Sequence, residues 1–256
     1  MNNPQCNIEY QTGWLSEYFS AHRVRWDQFY ASERALLEAV NPAPGSSILD
    51  VGCGCGGLGL ALKERFGITR YEGVEINAAA AEAARRMNPL ALIHHGDVLK
   101  IAAHQLLGKQ FDLVFSLSCI DWNVQFEDML QVVWSHVAPG GHMVATFRLT
   151  DGPGCNDFER SHQYMNADGL MQGERAAYVV SNAQELWEQL GHLGPQSLQA
   201  HGYWGVPSAT AVTPYSRLCF VALALRKRLP GEPAGSLDMQ LQLPDDIVRT
   251  LGSAIR

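Results

Sequence analysis

The sequence predicts a doubly wound α/β domain, and three observations carry that expectation. A β-branched and apolar run, Ser47-Ile48-Leu49-Asp50-Val51, enters a cluster of glycines, Gly52-Cys53-Gly54-Cys55-Gly56-Gly57, and then a helical pattern. Strand-like and helix-like runs keep alternating through residue 147. Several of the strand runs are apolar at successive positions, as in strands buried on both faces of a parallel sheet.

After the glycines, residues 58–66 have helical spacing and stop at Gly67, where a left-handed C-cap fits. Residues 71–75 read as a second strand, and Asn77 is a good N-cap for the Ala-rich helix that ends before Pro89. A third strand at 90–94, a short helix at 99–107 and a nearly all-apolar fourth strand at 111–117 follow. A helix at 126–137 is closed by Pro139-Gly140-Gly141, and a fifth strand takes 142–147. Ahead of the glycines, aromatic-rich segments at 14–19 and 25–40 read as helices lying across one face of the sheet.

Beyond the fifth strand the period is lost. Residues 148–173 are rich in Gly, Asp, Asn and polar aromatics, the composition of a long functional loop or cap. Regularity returns with a helix at 183–193 and strands at 197–204 and 217–225. The connection between those two strands holds no crossover helix, so they pair antiparallel. Residues 230–236 are a linker by composition, and the tail from 237 can dock as a short helix with Asp245 and Asp246 near its N-terminus. The expected organisation is one domain over 1–228, with an N-terminal helical cap (1–44) and a substrate-side insert (148–173), then the linker and tail at 229–256.

Composition narrows the function. The chain has 256 residues, 19 basic and 26 acidic, a net charge of −7 with His neutral, which argues against a large phosphate-backbone footprint and so against nucleic acid. Its longest apolar run, 218–225, is far short of the roughly 20 residues a membrane helix needs. The N-terminus lacks a basic stretch followed by an apolar one, so a cytoplasmic location is expected. None of the six cysteines forms a Cys-x-x-Cys pair, so free thiols are expected rather than a zinc or redox site.

The glycine cluster admits two readings. Gly52-x-Gly54-x-x-Gly57 spells the dinucleotide fingerprint, with Glu75 about 20 residues on to bind ribose. The same letters spell Asp50-x-Gly52-x-Gly54-x-Gly56, which resembles motif I of the class I S-adenosylmethionine (SAM) dependent methyltransferases. Asp50 bears on the choice, because a carboxylate at the strand end repels a pyrophosphate and favours a cationic sulfonium.

Further motifs extend the resemblance over residues 45–225. In Gly73-Val74-Glu75-Ile76, the family position of Glu75 implies hydrogen bonds to both ribose hydroxyls, and that of Ile76 implies packing on adenine. Gly96-Asp97-Val98 is similar to the family's adenine-edge contact. Phe111-Asp112-Leu113-Val114-Phe115-Ser116 resembles the fourth-strand motif that runs beside the methionine moiety, and Val137-Ala138-Pro139-Gly140-Gly141-His142 resembles the turn before strand five. The resemblance implies a Rossmann-like seven-stranded sheet, mostly parallel with an antiparallel last strand. It also implies SAM as cofactor, bound by Asp50, Gly52, Cys53, Gly54, Gly56, Glu75, Ile76, Asp97, Val98 and Ser116, with S-adenosylhomocysteine as product. A nicotinamide oxidoreductase and a non-catalytic SAM-binding module stand as the alternatives.

The implied chemistry is in-line displacement, in which alignment and desolvation dominate and a base is optional. Ser118-Cys119-Ile120-Asp121-Trp122-Asn123 places Asp121 where many small-molecule members carry His beside Trp, so Asp121 is the candidate catalytic group or, equally, a helix cap. The stretch lacks the Asn/Asp-Pro-Pro-Tyr signature for methylating base nitrogens in nucleic acid. Asp121 and Asn123 are acids and amides of the kind that hold metals, but no metal site is expected, and His94, His95 and His201 read as structural.

Substrate recognition is expected from the N-terminal helices (Tyr10, Trp14, Tyr18, Arg25, Trp26, Tyr30) and from the insert (Arg148, Asp157, Arg160, His162, Tyr164, Asn166). Arg148, leaving strand five, suits a substrate carboxylate or phosphate, or a surface ion pair with a loop acid. Tyr203 or Trp204 is placed to reach the pocket rim. The expected acceptor is a small polar metabolite methylated at O or N, and the oligomeric state is left open.

Overall fold

A computed structural model describes residues 7, 9, 13–166, 168–233 and 237–252. Helices α1 (Trp14–Ala21) and α2 (Ala31–Val40) precede β1 (Ser47–Val51), α3 (Gly57–Phe66), β2 (Arg70–Glu75), α4 (Ala78–Met87), β3 (Leu92–His95), α5 (Val98–Ile101) and β4 (Phe111–Ser116). Then come α6 (Phe126–Ser135), β5 (Val137–Thr150), β6 (His162–Tyr164), β7 (Arg175–Ala177), β8 (Ser181–Asn182) and α7 (Ala183–His192). The chain closes with β9 (Pro195–Gly205), β10 (Ala211–Val212), β11 (Leu218–Lys227), β12 (Asp238–Gln242) and α8 (Asp245–Leu251).

The main sheet runs β12-β9-β11-β5-β4-β1-β2-β3, with β8 pairing the end of β5. Strands β1 to β5 are mutually parallel where they pair, and β11 lies antiparallel between β5 and β9, as the missing crossover helix requires. The Rossmann-like order reverses between β1 and β4, which is where an open α/β sheet leaves a crevice at its strand ends. Two apolar layers sandwich the sheet. On one face Leu36 and Leu37 of α2, Leu58 and Leu62 of α3, and Ala81 and Ala84 of α4 pack with Ile48, Phe115 and Val144. On the other, Met129 and Val133 of α6, Leu186 and Leu190 of α7, and Ile247 and Leu251 of α8 pack with Leu49, Val114 and Met143.

The structure departs from the expected elements in four places. The helix expected at 99–107 is only α5, because after Ile101 the chain turns to put Leu106 fully into the core while Leu107 is exposed. Strand β5 runs to Thr150, so Arg148 sits inside it, opposite Phe220 of β11, rather than at its exit. The insert is not all loop: β6 and β7 pair, and β10, from the connection between the last two main strands, joins them in a second sheet. The tail adds an edge strand as well as the expected helix. Met239 and Leu241 turn inward against the core while Asp238, Gln240 and Gln242 face out, an alternation that marks β12. Of the expected linker, residues 234–236 lie outside the described residues, as do Tyr10 and the side chain of Trp14.

Because Ile247 is fully buried against the sheet's second face, the Ile247→Ala variant should lose about 2–4 kcal/mol of unfolding free energy in urea melts. An unchanged midpoint would mean that the tail does not pack on its own domain.

Candidate active site

The site begins where β1 ends. Val51 pairs with Val74, and the Val74 carbonyl accepts the amides of both Gly52 (2.9 Å) and Cys53 (3.0 Å), which bends the chain sharply over the tip of β2. Gly52, Gly54 and Gly56 all have positive φ. At Gly52 the constraint is doubled, since a Cβ there would stand 2.5 Å from the Cys119 sulfur. The upper face of Gly54 is open: a Cβ would meet nothing nearer than the Phe19 ring, at 4.0 Å. Gly57 opens α3 directly beneath the carbonyl of Arg23, 2.2 Å from where a Cβ would be, so the N-terminal segment is seated on the turn.

Two buried carboxyls flank this turn. One Glu75 oxygen accepts the Gly54 amide and the other the Asn77 amide, each at 2.8 Å, so Glu75 ties the turn to the start of α4. Burial raises its pKa, against the pull of those amides. Asp50, 3% exposed, accepts a 2.6 Å hydrogen bond from the Tyr71 hydroxyl. Desolvation lifts its carboxyl from the usual range to about 7, opposed by the Tyr71 bond and reinforced by nearby Glu75. Beyond β3, Asp97 caps α5 through the Leu99 amide at 3.1 Å and accepts from the Asn7 side chain at 2.7 Å.

A second group gathers past β4. Asp121, in the 3-10 turn Ile120–Trp122, does not cap α6. Its Oδ2 accepts from Arg148 Nε at 2.7 Å, and its carbonyl accepts from Arg148 Nη2 at 2.8 Å and from the Val179 amide at 2.9 Å. The pair is buried, with side chains 3% and 6% exposed. The guanidinium lies between two rings, 3.7 Å from the centroid of Tyr178 and 4.4 Å from that of Trp122. Burial raises the Asp121 pKa, and Arg148 pulls it back. Arg148 Nη1 and Asp121 Oδ1 are buried with no hydrogen-bond partner among the described residues.

One cavity of about 940 Å³ joins the two groups. Of the residues singled out in the sequence, Asp50, Gly52, Cys53, Gly54, Glu75, Ile76, Asp97 and Val98 line its glycine-turn half. Asp121, Arg148, Tyr164 and Tyr203 line the other half. Gly56 and Ser116 do not line it. Ser116 is fully buried beneath the floor, and Leu117, Ser118 and Cys119 stand at the strand end instead. Arg148 pairs with a buried acid, Asp121, in place of the surface ion pair with a loop acid that was one of the two expected readings.

The roof combines α1 with the second sheet. Tyr18 and Tyr30 reach the cavity from the N-terminal segment, whereas Arg25 points away into exposed ion pairs with Asp27 and Glu64, and Trp26 packs edge-on to Phe66. From the insert, Tyr164 and Asn166 line the cavity, while Asp157, Arg160 and His162 do not. His94 bridges Glu72 and Gln105 on the far side of β3. Among the described residues no group of three or more His, Cys, Asp or Glu is arranged to hold a metal. No helix among them is long and apolar enough to cross a membrane.

Several lining residues went unnoticed in the sequence. Arg23, at φ +59°, pairs with the fully buried Glu33 at 2.8 Å and sits over the rings of Phe29 and Tyr30. Trp122 and Tyr178 cage Arg148 from elements far apart in the chain. Arg23 lies within an aromatic-rich stretch of sequence, but the rings it meets, Phe29 and Tyr30, are six and seven residues on, and Tyr178 follows directly on the short strand β7.

Residues 49–143, from β1 to β5, match the family described as "Methyltransferase domain". The trans-aconitate 2-methyltransferase of Deinococcus radiodurans is 27% identical over 208 residues, 73% of this chain and 78% of that protein. The tRNA1(Val) (adenine(37)-N6)-methyltransferase of Porphyromonas gingivalis is 40% identical over a shorter stretch, 40% of this chain and 46% of its own. In fold, the chain resembles a phosphoethanolamine N-methyltransferase 2 of Haemonchus contortus in complex with S-adenosyl-L-methionine. That likeness has a TM-score of 0.58 at 15% identity, over 85% of this chain and 58% of that one.

Truncating one member of the buried pair leaves an uncompensated charge. Arg148→Met should therefore cost about 3–5 kcal/mol of stability in denaturant melts, while the double variant with Asp121→Leu recovers part of that loss. Additive costs would show that the two side chains are not coupled.

Proposed function

We propose that this chain, which belongs to the class I SAM-dependent methyltransferases, moves a methyl group to O or N of a small polar metabolite held between Asp121 and the insert. The observation that carries the reading is the single cavity running from the glycine turn to the Asp121–Arg148 pair, roofed by α1 and the second sheet. A volume of about 940 Å³ lies within the range of sites that enclose small molecules.

The cradle fits SAM. The open face over Gly54 leaves room for a group against the turn, and the buried acids Asp50 and Glu75 favour a ligand that carries positive charge. Glu75, already shaping the turn through Gly54, holds the ribose hydroxyls with its remaining lone pairs. Ile76 and Val98 pack on adenine, and Asp97 takes its exocyclic amine. Gly52, Cys53 and Gly54 form the floor. When bound, SAM supplies an electrophilic methyl on a cationic sulfur and leaves as S-adenosylhomocysteine.

On the acceptor side, Asp121 is the proposed catalytic group. Its Oδ1 takes the hydrogen of the reacting O–H or N–H, while Arg148 fixes the carboxylate in place. Burial and the aromatic cage keep water from competing. Tyr164 and Tyr203 face the substrate from the roof. The relatives named for trans-aconitate and for a tRNA adenine differ in acceptor size. The cavity's roof of α1 and the second sheet and the chain's net charge of −7 favour a small metabolite over a polynucleotide here.

Calorimetric titration with SAM, S-adenosylhomocysteine and NAD in parallel tests the reading. Binding of the two adenosyl ligands alone is expected, and binding of NAD alone would overturn it. Glu75→Ala should weaken SAM by at least about 1 kcal/mol, because two ribose hydroxyls lose their acceptor. Asp121→Asn should lower turnover far more than SAM affinity; full activity would make Asp121 structural only.

Asp50 adds a pH dependence. With its carboxyl raised to about 7, the free protein keeps the proton below that pH, and a cationic ligand must expel it. SAM affinity should rise by up to about tenfold per pH unit on approach to pH 7 and then level off. Asp50→Asn should flatten that profile.

A further inference from the structure

Both arginines that line the cavity are already spent on carboxylates. Arg23 pairs with Glu33, which is fully buried, and Arg148 pairs with Asp121. Three further carboxyls, Asp50, Glu75 and Asp97, line the same space, so acids outnumber arginines five to two around it. His22 is the other basic group there, and its Nδ1 donates to the Tyr18 carbonyl while its ring stacks on Tyr18. The N-terminal residues outside the described set contain no Lys, Arg or His.

Among the described residues, a carboxylate or phosphate entering the acceptor half therefore finds no uncommitted guanidinium or ammonium lining the cavity. The two atoms of the buried pair that lack a hydrogen-bond partner, Arg148 Nη1 and Asp121 Oδ1, lie just beneath the cavity surface, one a donor and one an acceptor, and a ligand reaches them as the side chains covering them shift. Leaving such buried groups unpaired is costly, and a ligand that satisfies both recovers that cost. The pair is neutral as a unit, so it offers an anion little net attraction while the surrounding acids repel it.

We infer that the acceptor substrate meets this enzyme through an uncharged or cationic head, an amine or a hydroxyl, and not through a carboxylate or phosphate. Asp121 Oδ1 accepts the hydrogen of that amine or hydroxyl, and Arg148 Nη1 donates to a neighbouring acceptor atom of the substrate. Asp121 thus has a specificity role besides the one proposed in the reaction: it neutralises Arg148. This inference rests on the methyltransferase reading.

The test uses the full chain saturated with S-adenosylhomocysteine and four probes: benzylamine, benzyl alcohol, benzoate and propane-1,2,3-tricarboxylate. Binding is read by ligand-observed NMR and calorimetry. The amine and the alcohol should bind at least tenfold more tightly than either carboxylate. In Asp121→Asn, which uncovers Arg148, the benzoate-to-benzyl alcohol affinity ratio should rise at least tenfold. If that variant does not fold, the wild-type comparison decides alone. A wild-type preference for the carboxylates, no difference among the probes, or an unchanged ratio in the folded variant would overturn the inference. Failure to bind S-adenosylhomocysteine in the first step would instead bring down the methyltransferase reading itself.

Discussion

Everything at the glycine-turn end of the cavity depends on how closely the chain packs where β1 turns into α3. The turn has no room for a side chain at Gly52, where the Cys119 sulfur is in the way, nor at Gly57, where the Arg23 carbonyl is. Its amides are consumed in order: those of Gly52 and Cys53 by the Val74 carbonyl, that of Gly54 by the Glu75 carboxylate. The tip of β2 thereby fixes the turn of β1, and one acidic side chain both holds the loop and borders the ligand space. A loop held this way presents its open face without reorganising when a ligand arrives, which is where preorganisation gains affinity.

The other end of the cavity is organised by a buried ion pair instead of by backbone. A pair like Asp121–Arg148 is weak evidence for stability, since desolvating two charges offsets most of their attraction. Its value here is positional. The Asp121 carbonyl takes both the Arg148 guanidinium and the Val179 amide, so one residue links the turn after β4, the C-terminal end of β5 and the chain following β7. The rings of Trp122 and Tyr178 close the remaining faces of the guanidinium. A side chain that in sequence suits a substrate anion or a surface ion pair is, in the fold, the centre of a buried, neutral pair between two aromatic rings.

The roof follows from topology. Strands β6, β7 and β10 are too short to stand alone, but paired as a second sheet they hold Tyr164 and Asn166 over the cavity. Tyr30, Tyr203 and Val206, all substantially exposed, line the cavity and form an apolar rim. At the opposite edge of the main sheet, β12 covers β9 and α8 packs with α7, which protects what would otherwise be a bare strand edge.

The sequence by itself determined the alternation of strands and helices through β5 and the gathering of most of the glycine-turn residues, because both are local. Asp50, Gly52, Gly54, Glu75 and Asp97 each lie at a strand end whose position follows from hydrophobic pattern and turn chemistry, and strand ends on one edge of a parallel sheet must converge. Ser116 was misplaced by that same logic, since side chains alternate along a strand and a shift by one or two residues moves the contact to Leu117 and Ser118. Tertiary structure alone decided the Asp121–Arg148 half of the cavity. Whether Arg148 is free or spent depends on Asp121, 27 residues away, and on Tyr178, which arrives through the pairing of a short insert strand. Those encounters are long-range and carry no periodic signal, so only the packed chain shows that the cation and its acid cancel.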